Sequence, residues 1–249
     1  MTKPTPGLPA FYNRELFFGA DAFDPSGHLK PTAVLGAMQE LGTGHLEATG
    51  FGEAWLAEQG SFWVIVRLKM VIHSSPGVGY VQGVTWRHSV SGLYWRRDYQ
   101  LRDHAGELCC SVVALWVLLD RQNRRVQRPS SYPLAFPEEP EHQALPVAPA
   151  KLTVGELPLL ATRRVCYSDL DSNGHVHNSR YVEWLLDALP TPLLLQQQVA
   201  ALQVDFRGEA FLGEEVQLSG AALEANPHLW SFVAYCQERL CYVAQLQFS

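Results

Sequence analysis

The sequence Asp-Ser-Asn-Gly-His-Val at 171–176 resembles an earlier stretch, Asp-Pro-Ser-Gly-His-Leu at 24–29, at a constant offset of 147 residues. Each stretch follows an apolar, strand-like run and precedes a run whose apolar residues recur at helical spacing. Pro31 suits the first position of the first helix, and Asn178 or Ser179 can cap the second. We therefore predict that the chain contains the same structural unit twice.

Segments rich in β-branched, aromatic and other apolar residues follow each predicted helix, as expected for strands. Each half should thus consist of one strand, one long helix and about four antiparallel strands, which indicates the α+β class. We expect the sheet to wrap around the helix, and the two halves to pair sheet to sheet. The predicted strands lie at 61–72, 80–86, 93–102 and 108–119 in the first half, and at 202–206, 215–219, 230–236 and 240–248 in the second.

A proline-rich segment separates the two halves. Residues 129–150 hold 6 of the 16 prolines and show neither a helical nor a strand period. Proline stiffens such a segment, so we expect a linker that lies along a surface. The predicted organisation is an N-terminal unit at 1–128, a linker at 129–152 and a C-terminal unit at 153–249.

Composition excludes several classes of protein. The chain has 249 residues, 47% of them hydrophobic, and a formal net charge of −6, which fits an ordinary globular protein and argues against nucleic acid as the main partner. Its basic residues are 15 Arg against 4 Lys, a bias that suits an anionic partner. The five cysteines contain no CxxC pair and indicate buried thiols in a reducing cytoplasm. No apolar run approaches the about 20 residues of a membrane span, and no targeting signal is present.

The densest polar cluster lies at 169–178, where two Asp, two Asn and two His occur within ten residues at a predicted strand-to-helix junction. Backbone N–H groups at such a junction can stabilise a developing oxyanion. Asp171, His175 and His177 could ligate a metal, but no second His or Cys pair completes a ligand set, so we predict no metal site. Cys166 is a nearby alternative nucleophile, although its strand-like neighbours favour a core position.

The two halves differ at the positions that could carry chemistry. Ser26 stands where the second half has Asn173, and at an offset of 140 Lys69 corresponds to Glu209. Since Asn, His and Glu occur together only in the second half, we expect the chemistry there and substrate binding in the first.

The 169–181 stretch, Asp-Leu-Asp-Ser-Asn-Gly-His-Val-His-Asn-Ser-Arg-Tyr, is similar to the DLDxNxHVNNxxY signature of the acyl-acyl carrier protein (acyl-ACP) thioesterase family. His177 departs from the signature, since a second Asn is usual there. The first half resembles family landmarks in the same order, at 63–67, 85–86, 96–98, 116–117 and 124–125. The resemblance implies a tandem (double) hotdog fold, in which each half is a long helix wrapped by an antiparallel sheet.

The resemblance also implies a reaction, the hydrolysis of fatty acyl-ACP to free fatty acid and carrier protein, with no cofactor. The family's catalytic residues correspond to Asp171, Asn173, His175 and Glu209. Many members carry a Cys directly after that Glu, where this chain has Ala210, so water should attack the thioester directly. We expect Asn173 to orient the water or the carbonyl, Asp171 to orient His175, and backbone N–H groups at 174–179 to polarise the carbonyl. Which of Glu209 and His175 is the base stays open.

Binding residues are also implied by the resemblance. The acyl chain should lie in the first half, and cations should face the phosphopantetheine and the acidic carrier. An acyl-CoA thioesterase of the same fold and a non-catalytic acyl-binding protein are the alternatives. Chain-length preference stays open, as does whether the chain forms a homodimer. The expected acyl-chain residues are Met38, Leu41, His45, Trp63 and Val64; the expected carrier-binding residues are Arg163, Arg164 and Arg180, with Arg96, Arg97, Arg124, Arg125 and Arg128 as further candidates.

Overall fold

The structure, a computed structural model, describes residues 8–131 and 137–249. Part of the predicted linker, 132–136, therefore lies outside the described residues. In each half one strand precedes a long helix, and a short helix and four strands follow it, which confirms the predicted order of elements. The first half comprises β1 (Phe11–Phe18), α1 (Pro31–Ala48), α2 (Glu53–Glu58), β2 (Ser61–Ile72), β3 (Gly79–Arg87), β4 (Trp95–Arg102) and β5 (Leu108–Asp120); the second comprises β6 (Leu159–Arg164), α3 (Asn178–Asp187), α4 (Thr191–Gln196), β7 (Val199–Phe206), β8 (Glu215–Leu223), β9 (Asn226–Cys236) and β10 (Arg239–Phe248).

All ten strands form one antiparallel sheet, in the order β1-β3-β4-β5-β2-β7-β10-β9-β8-β6. The first half contributes the order 1-3-4-5-2, and the second half repeats it in reverse. The two units therefore meet edge to edge at β2 and β7, where Arg67 faces Asp205 and Met70 faces Leu202. This repeated order confirms the predicted duplication, and it removes the two edges that the separate units would expose.

The junction between the halves contains a buried carboxylate. Asp205 is fully buried; its Oδ1 lies 3.1 Å from Nε of Arg67, and its Oδ2 accepts a 2.8 Å hydrogen bond from Arg207. The same Oδ2 accepts a hydrogen bond from the backbone N–H of Leu152, at the end of the linker. Asp205, on β7, therefore contacts β2 of the first half and the linker as well.

The long helices cover one face of the sheet. α1 begins at Pro31, whose fixed φ suits the first helical position. Val34, Leu35, Met38 and Leu41 follow at helical spacing and are buried. α1 contacts β1, β3 and α3, and a single hydrophobic core extends from the first half into the second. None of the described helices is long and apolar enough to cross a membrane.

The linker lies against the other face of the sheet. The buried carboxylate of Asp98 accepts a 2.8 Å hydrogen bond from the backbone of Ala144, and Trp86 donates one from its indole to the carbonyl of His142. Gln203 on β7 bonds to Ala150. The linker therefore runs from β3 and β4 of the first half to the junction at β2 and β7.

Four of the five cysteines are buried and all five thiols are free. The prediction of a core position is wrong for Cys166, which is exposed because β6 has already ended at Arg164. Its backbone N–H instead donates to Asp169, in the turn that leads to the polar cluster.

Candidate active site

The polar cluster folds into a tight turn built around Asp171. The backbone N–H of Asp171 bonds to the carbonyl of His175 at 2.9 Å, and the N–H of Gly174 returns to the carbonyl of Asp171 at 3.0 Å. Gly174 has φ of 77°, a left-handed conformation that glycine adopts without strain. The Asp171 carboxylate accepts the N–H of Asn173 at 2.8 Å. One residue thus shapes the turn and fixes the backbone of Asn173.

His175 lies between two carboxylates. Its Nδ1 is 3.4 Å from Oδ2 of Asp171, and its Nε2 is 3.4 Å from Oε1 of Glu209. The His175 and Asp171 side chains are largely buried, whereas that of Glu209 is 31% exposed. The imidazole therefore faces a carboxylate at each of its two nitrogens. The three side chains form one line, with the carboxylate of Glu209 at its solvent-facing end.

Glu209 reaches this line through the loop that follows β7. The carbonyl of Ala210 accepts a 2.9 Å hydrogen bond from the N–H of Val176, and the N–H of Ala210 donates at 3.0 Å to the Tyr181 hydroxyl. Tyr181 belongs to α3, so the helix and the turn both fix the loop that carries Glu209.

The first half contributes a residue that the sequence prediction did not assign to the reaction centre. Arg124, in the loop after β5, pairs with both carboxylate oxygens of Glu209. Its guanidinium also lies 4.9 Å from the centre of the Phe62 ring. The sequence marks Arg124 only as one of several clustered arginines, and 85 residues separate it from Glu209, so no local pattern could have revealed the pair.

The turn at 24–29 is a copy of the turn at 171–176. Gly27 has φ of 81°, and Nδ1 of His28 lies 3.4 Å from Oδ2 of Asp24. Ser26 replaces the amide of Asn173 in this copy. The first half therefore keeps the architecture of the turn and lacks its amide.

The predicted correspondence between Lys69 and Glu209 is wrong. Lys69 lies inside β2, opposite Gln203. The N–H groups of residues 207 and 208 donate to the carbonyl of Cys241, and those of residues 73 and 74 donate to the carbonyl of Cys109 in the same way. The counterpart of Glu209 is consequently Ser75, since each follows directly after its pair of donors.

Two cavities meet at Asn173. One of about 400 Å³ is lined by Asn173, His175 and Glu209, together with Trp63 and Val64 of β2. The other, of about 250 Å³, extends from Asn173 into the first half and shares Trp63. The predicted Trp63 and Val64 therefore lie beside the reaction centre.

The other three predicted acyl-chain residues line neither of these two cavities. Met38 and Leu41 face away from the two cavities and pack in the core. His45 is buried, and its ring nitrogens contact the carbonyl of Pro9 and the guanidinium of Arg97. The side of α1 that lines the smaller cavity carries Gln39, Gly42, Thr43 and Leu46 instead. The sequence pattern identified the residues of α1 that pack in the core, whereas the cavity borders a different side of the same helix.

The start of α3 adds two polar residues to the larger cavity. His177 caps the helix, its Nδ1 2.8 Å from the hydroxyl of Ser179, and burial lowers the pKa of His177. Asn178 also lines the cavity, and among the described residues its buried Oδ1 has no hydrogen-bond partner. Within the described chain no group of three residues is suited to hold a metal ion.

The predicted carrier-binding arginines lie on the outer surface of the second half. Arg163 pairs with Asp187 at 3.0 Å, and Arg180 pairs with Glu183. Arg164 is exposed at the end of β6. Two of the three positive charges are therefore already balanced by neighbouring carboxylates.

Two helix-on-sheet units that share one sheet define a double hotdog protein. Residues 10–131 match the family model described as the acyl-ACP thioesterase N-terminal domain, and residues 159–232 match the C-terminal domain. The chain belongs to the acyl-ACP thioesterase family, as the resemblance at 169–181 predicted.

Named relatives agree with this assignment. The chain is 28% identical over 199 residues to oleoyl-acyl carrier protein thioesterase 1, chloroplastic, of Arabidopsis thaliana, covering 71% of this chain and 54% of the relative. It is 26% identical to the chloroplastic palmitoyl-acyl carrier protein thioesterase of Gossypium hirsutum, covering 71% and 46%. The chain thus spans about half the length of these curated relatives.

The fold matches solved structures over almost its whole length. An acyl-ACP thioesterase from Bacteroides thetaiotaomicron superposes with a TM-score of 0.87 at 20% identity, covering 96% of this chain and 98% of that one. The 12:0-ACP thioesterase from Umbellularia californica gives 0.83 at 19% identity, covering 97% and 98%. These likenesses confirm the double hotdog fold.

Proposed function

We propose that the protein hydrolyses the thioester of a fatty acyl-ACP, releasing the free fatty acid and the carrier protein. The observation that carries this proposal is the line Asp171–His175–Glu209, which faces a cavity shared by both halves. Family membership supplies the reaction class, and the relatives named above are thioesterases of acyl carrier proteins. With Ala210 after Glu209, this position offers no thiol nucleophile, so water attacks the substrate directly.

The proton path starts at the water molecule. Glu209 and the adjacent Nε2 of His175 act together as the general base, because they lie 3.4 Å apart and line the same cavity. As the water oxygen bonds to the thioester carbon, its proton passes to this pair, and Asp171 faces the opposite nitrogen of the imidazole. Arg124 holds the Glu209 carboxylate in position. When the C–S bond breaks, the same proton goes to the departing thiolate.

The carbonyl oxygen needs hydrogen-bond donors as negative charge develops on it. Four of the six N–H groups of the stretch 174–179 already have acceptors. Those of Gly174 and His177 donate to carbonyls of the same turn, that of Val176 donates to the carbonyl of Ala210, and that of Ser179 donates to the His177 ring. The side-chain amides of Asn173 and Asn178 line the larger cavity and can donate there. We assign Asn173 to the water or the carbonyl oxygen, because it stands where the two cavities meet.

The acyl chain enters the first half past Trp63 and Val64, which lie between the reaction centre and the smaller cavity. The phosphopantetheine and its acidic carrier approach the second half, where exposed Arg164 supplies positive charge. Arg163 and Arg180 add to it when the carrier's acidic groups displace the carboxylates that pair with them. The β2–β7 junction provides within one chain the pairing of two units, so the site needs no second copy. Five free thiols, four of them buried, suit the reducing environment of the cytoplasm.

The test is a comparison of hydrolysis rates on the same acyl group attached to acyl carrier protein and to CoA. We expect higher kcat/KM with the carrier protein; a preference for CoA would transfer the proposal to an acyl-CoA thioesterase. Asn173→Ala and Glu209→Ala should each abolish hydrolysis while the protein remains folded by circular dichroism. Full activity in either variant would refute the proposed mechanism.

A further inference from the structure

The smaller cavity has an unusually polar inner wall for a hydrocarbon site. Arg97 and Trp95 of β4 line it and are 7% and 5% exposed, and Tyr99 lines it at 1% exposed. Burying a charged or polar group in an apolar place is costly unless a partner compensates it. The partners of these groups therefore indicate what the cavity accommodates.

Arg97 has no carboxylate partner among the described residues. Its guanidinium donates to Nδ1 of His45 at 2.8 Å and contacts the Thr85 hydroxyl at 3.4 Å. Burial lowers the pKa of His45 to about 4, so this histidine is neutral at physiological pH. Its Nε2 contacts the carbonyl of Pro9, which is also neutral. The positive charge of Arg97 is thus met by neutral groups only.

The nearby carboxylates are held elsewhere. Asp98 receives two hydrogen bonds from Arg96, at 2.7 and 2.8 Å, and a third from the backbone of the linker. Glu47 and Glu53 line the same cavity, but both are exposed, and the Glu47 carboxylate bonds to the N–H of Glu53. These two acids mark the outer rim of the cavity, whereas Arg97 lies at its buried end.

Two indole donors of this cavity lack an acceptor in the part of the chain that the structure describes. The indole Nε1 of Trp95 has no hydrogen-bond acceptor within the described chain, and neither has that of Trp63, whose ring packs edge-on against Trp95 at 5.4 Å. Guanidinium and indole N–H groups only donate. A methyl-terminated chain would leave both indole N–H groups unsatisfied and the charge of Arg97 without a counter-charge, whereas an anionic oxygen would supply an acceptor and a counter-charge together.

Resting on the proposed function, we propose that this cavity receives the far end of an acyl chain that carries a carboxylate there, bound by Arg97 and the indole N–H groups of Trp63 and Trp95. The cavity extends from Asn173 to Arg97, and β4 is separated from β7 by β5 and β2, about three strand spacings or roughly 14 Å across the sheet. An acyl chain of medium length covers such a distance. The substrate class is then the monothioester of a medium-chain dicarboxylic acid.

Binding can be measured without catalysis, because three tryptophans line the cavity. Intrinsic fluorescence of the wild-type protein is titrated with free dicarboxylates of six, eight and ten carbons and with monocarboxylates of the same lengths. We expect one dicarboxylate to bind at least about tenfold more tightly than its matched monocarboxylate, the gain typical of a buried charge-assisted hydrogen bond. Equal binding, or tighter binding of the monocarboxylates, would overturn the inference.

Substitution of the guanidinium provides the second test. Arg97→Met should remove the preference for the dicarboxylate, and Arg97→Lys should restore part of it. The control is Arg102→Met, on the same strand, because Arg102 bonds to the carbonyl of Gly106 and to Gln100 and is not part of the cavity lining. An unchanged preference in a folded Arg97→Met protein would refute the role of Arg97. If that variant does not fold, the wild-type titration alone decides.

Hydrolysis of the matched thioesters of acyl carrier protein, one carboxylate-terminated and one methyl-terminated, separates this inference from the proposed function. Faster hydrolysis of the carboxylate-terminated member supports both. Faster hydrolysis of the methyl-terminated member supports the proposed function and overturns the further inference. Hydrolysis of neither, with tight dicarboxylate binding, overturns the proposed function while the cavity assignment stands.

Discussion

Replacing Asp205 by Asn removes the buried negative charge at the junction between the two halves. The change preserves the shape of the side chain, but an amide cannot neutralise Arg67 and Arg207 together. If the amide oxygen takes the place of Oδ2, it still accepts from the N–H of Leu152 and from Arg207, but the NH₂ group then faces Arg67. At least one guanidinium therefore loses its carboxylate partner. The variant therefore tests how much the charge of Asp205 contributes to the stability of the junction.

The expected loss follows from burial. The Asp205 side chain is fully buried, and those of Arg67 and Arg207 are 15% and 23% exposed. Removing one partner of a buried ion pair costs about 3–5 kcal/mol, because the remaining charge stays desolvated. Proteins of this kind are stable by only about 5–15 kcal/mol, so the variant should lose a large share of its free energy of unfolding.

Urea denaturation followed by circular dichroism measures this loss. The matched control is Asp187→Asn, the same substitution in an ion pair with Arg163 in which the aspartate is 60% exposed. We expect the control to change the free energy of unfolding by less than about 1 kcal/mol. A similarly small change in the free energy of unfolding for both variants would refute the reasoning that Asp205 stabilises the junction through its charge.

Three further predictions concern the reaction centre and the first-half helix. Arg124→Gln should lower kcat/KM about fivefold, the equivalent of the ~1 kcal/mol of an exposed ion pair that positions Glu209; Arg124→Lys should recover part of it, and unchanged kinetics in the Gln variant would contradict the role. Tyr181→Phe leaves the buried N–H of Ala210 without its acceptor and should cost about 1–3 kcal/mol in urea denaturation, with reduced kcat; wild-type stability would contradict it. Because burial lowers the pKa of His45 from 6.5 to about 4, only the unfolded state binds its proton between these values, so acidification across this range should cost up to about 3 kcal/mol of stability. His45→Gln should lose less stability over the same pH range, and an identical pH dependence would exclude this assignment.

The order of elements could be predicted from the sequence because it depends on local patterns. The helices follow from apolar residues at helical spacing after Pro31 and before Pro190, and the strands follow from β-branched and aromatic runs. The turn at 171–176 was also recognisable, because Gly174 requires a left-handed conformation and Asp171 can accept the N–H groups of its own turn. Such features are set by residues close together in the chain.

The features that could not be predicted depend on contacts between distant segments. The pair of Arg124 with Glu209 joins the two halves, and the counterpart of Glu209 became clear only from the hydrogen bonds to Cys241 and Cys109. The acyl-chain residues on α1 were misplaced for a related reason. A stripe such as Met38 and Leu41 indicates which side of a helix is buried, but not whether it meets a core or a cavity.

The central claim is that one of two nearly identical turns carries the hydrolysis. His175 and His28 each have Nδ1 at 3.4 Å from the aspartate four residues earlier, but only His175 has a carboxylate, that of Glu209, at its other nitrogen. The decisive measurement is kcat/KM for the best acyl-ACP substrate of the wild-type protein in His175→Gln and in His28→Gln. We predict a loss of at least about 100-fold in the first, as expected for removal of a general base, and a change within about twofold in the second. Equal losses in both variants, or a larger loss in His28→Gln, would contradict the account.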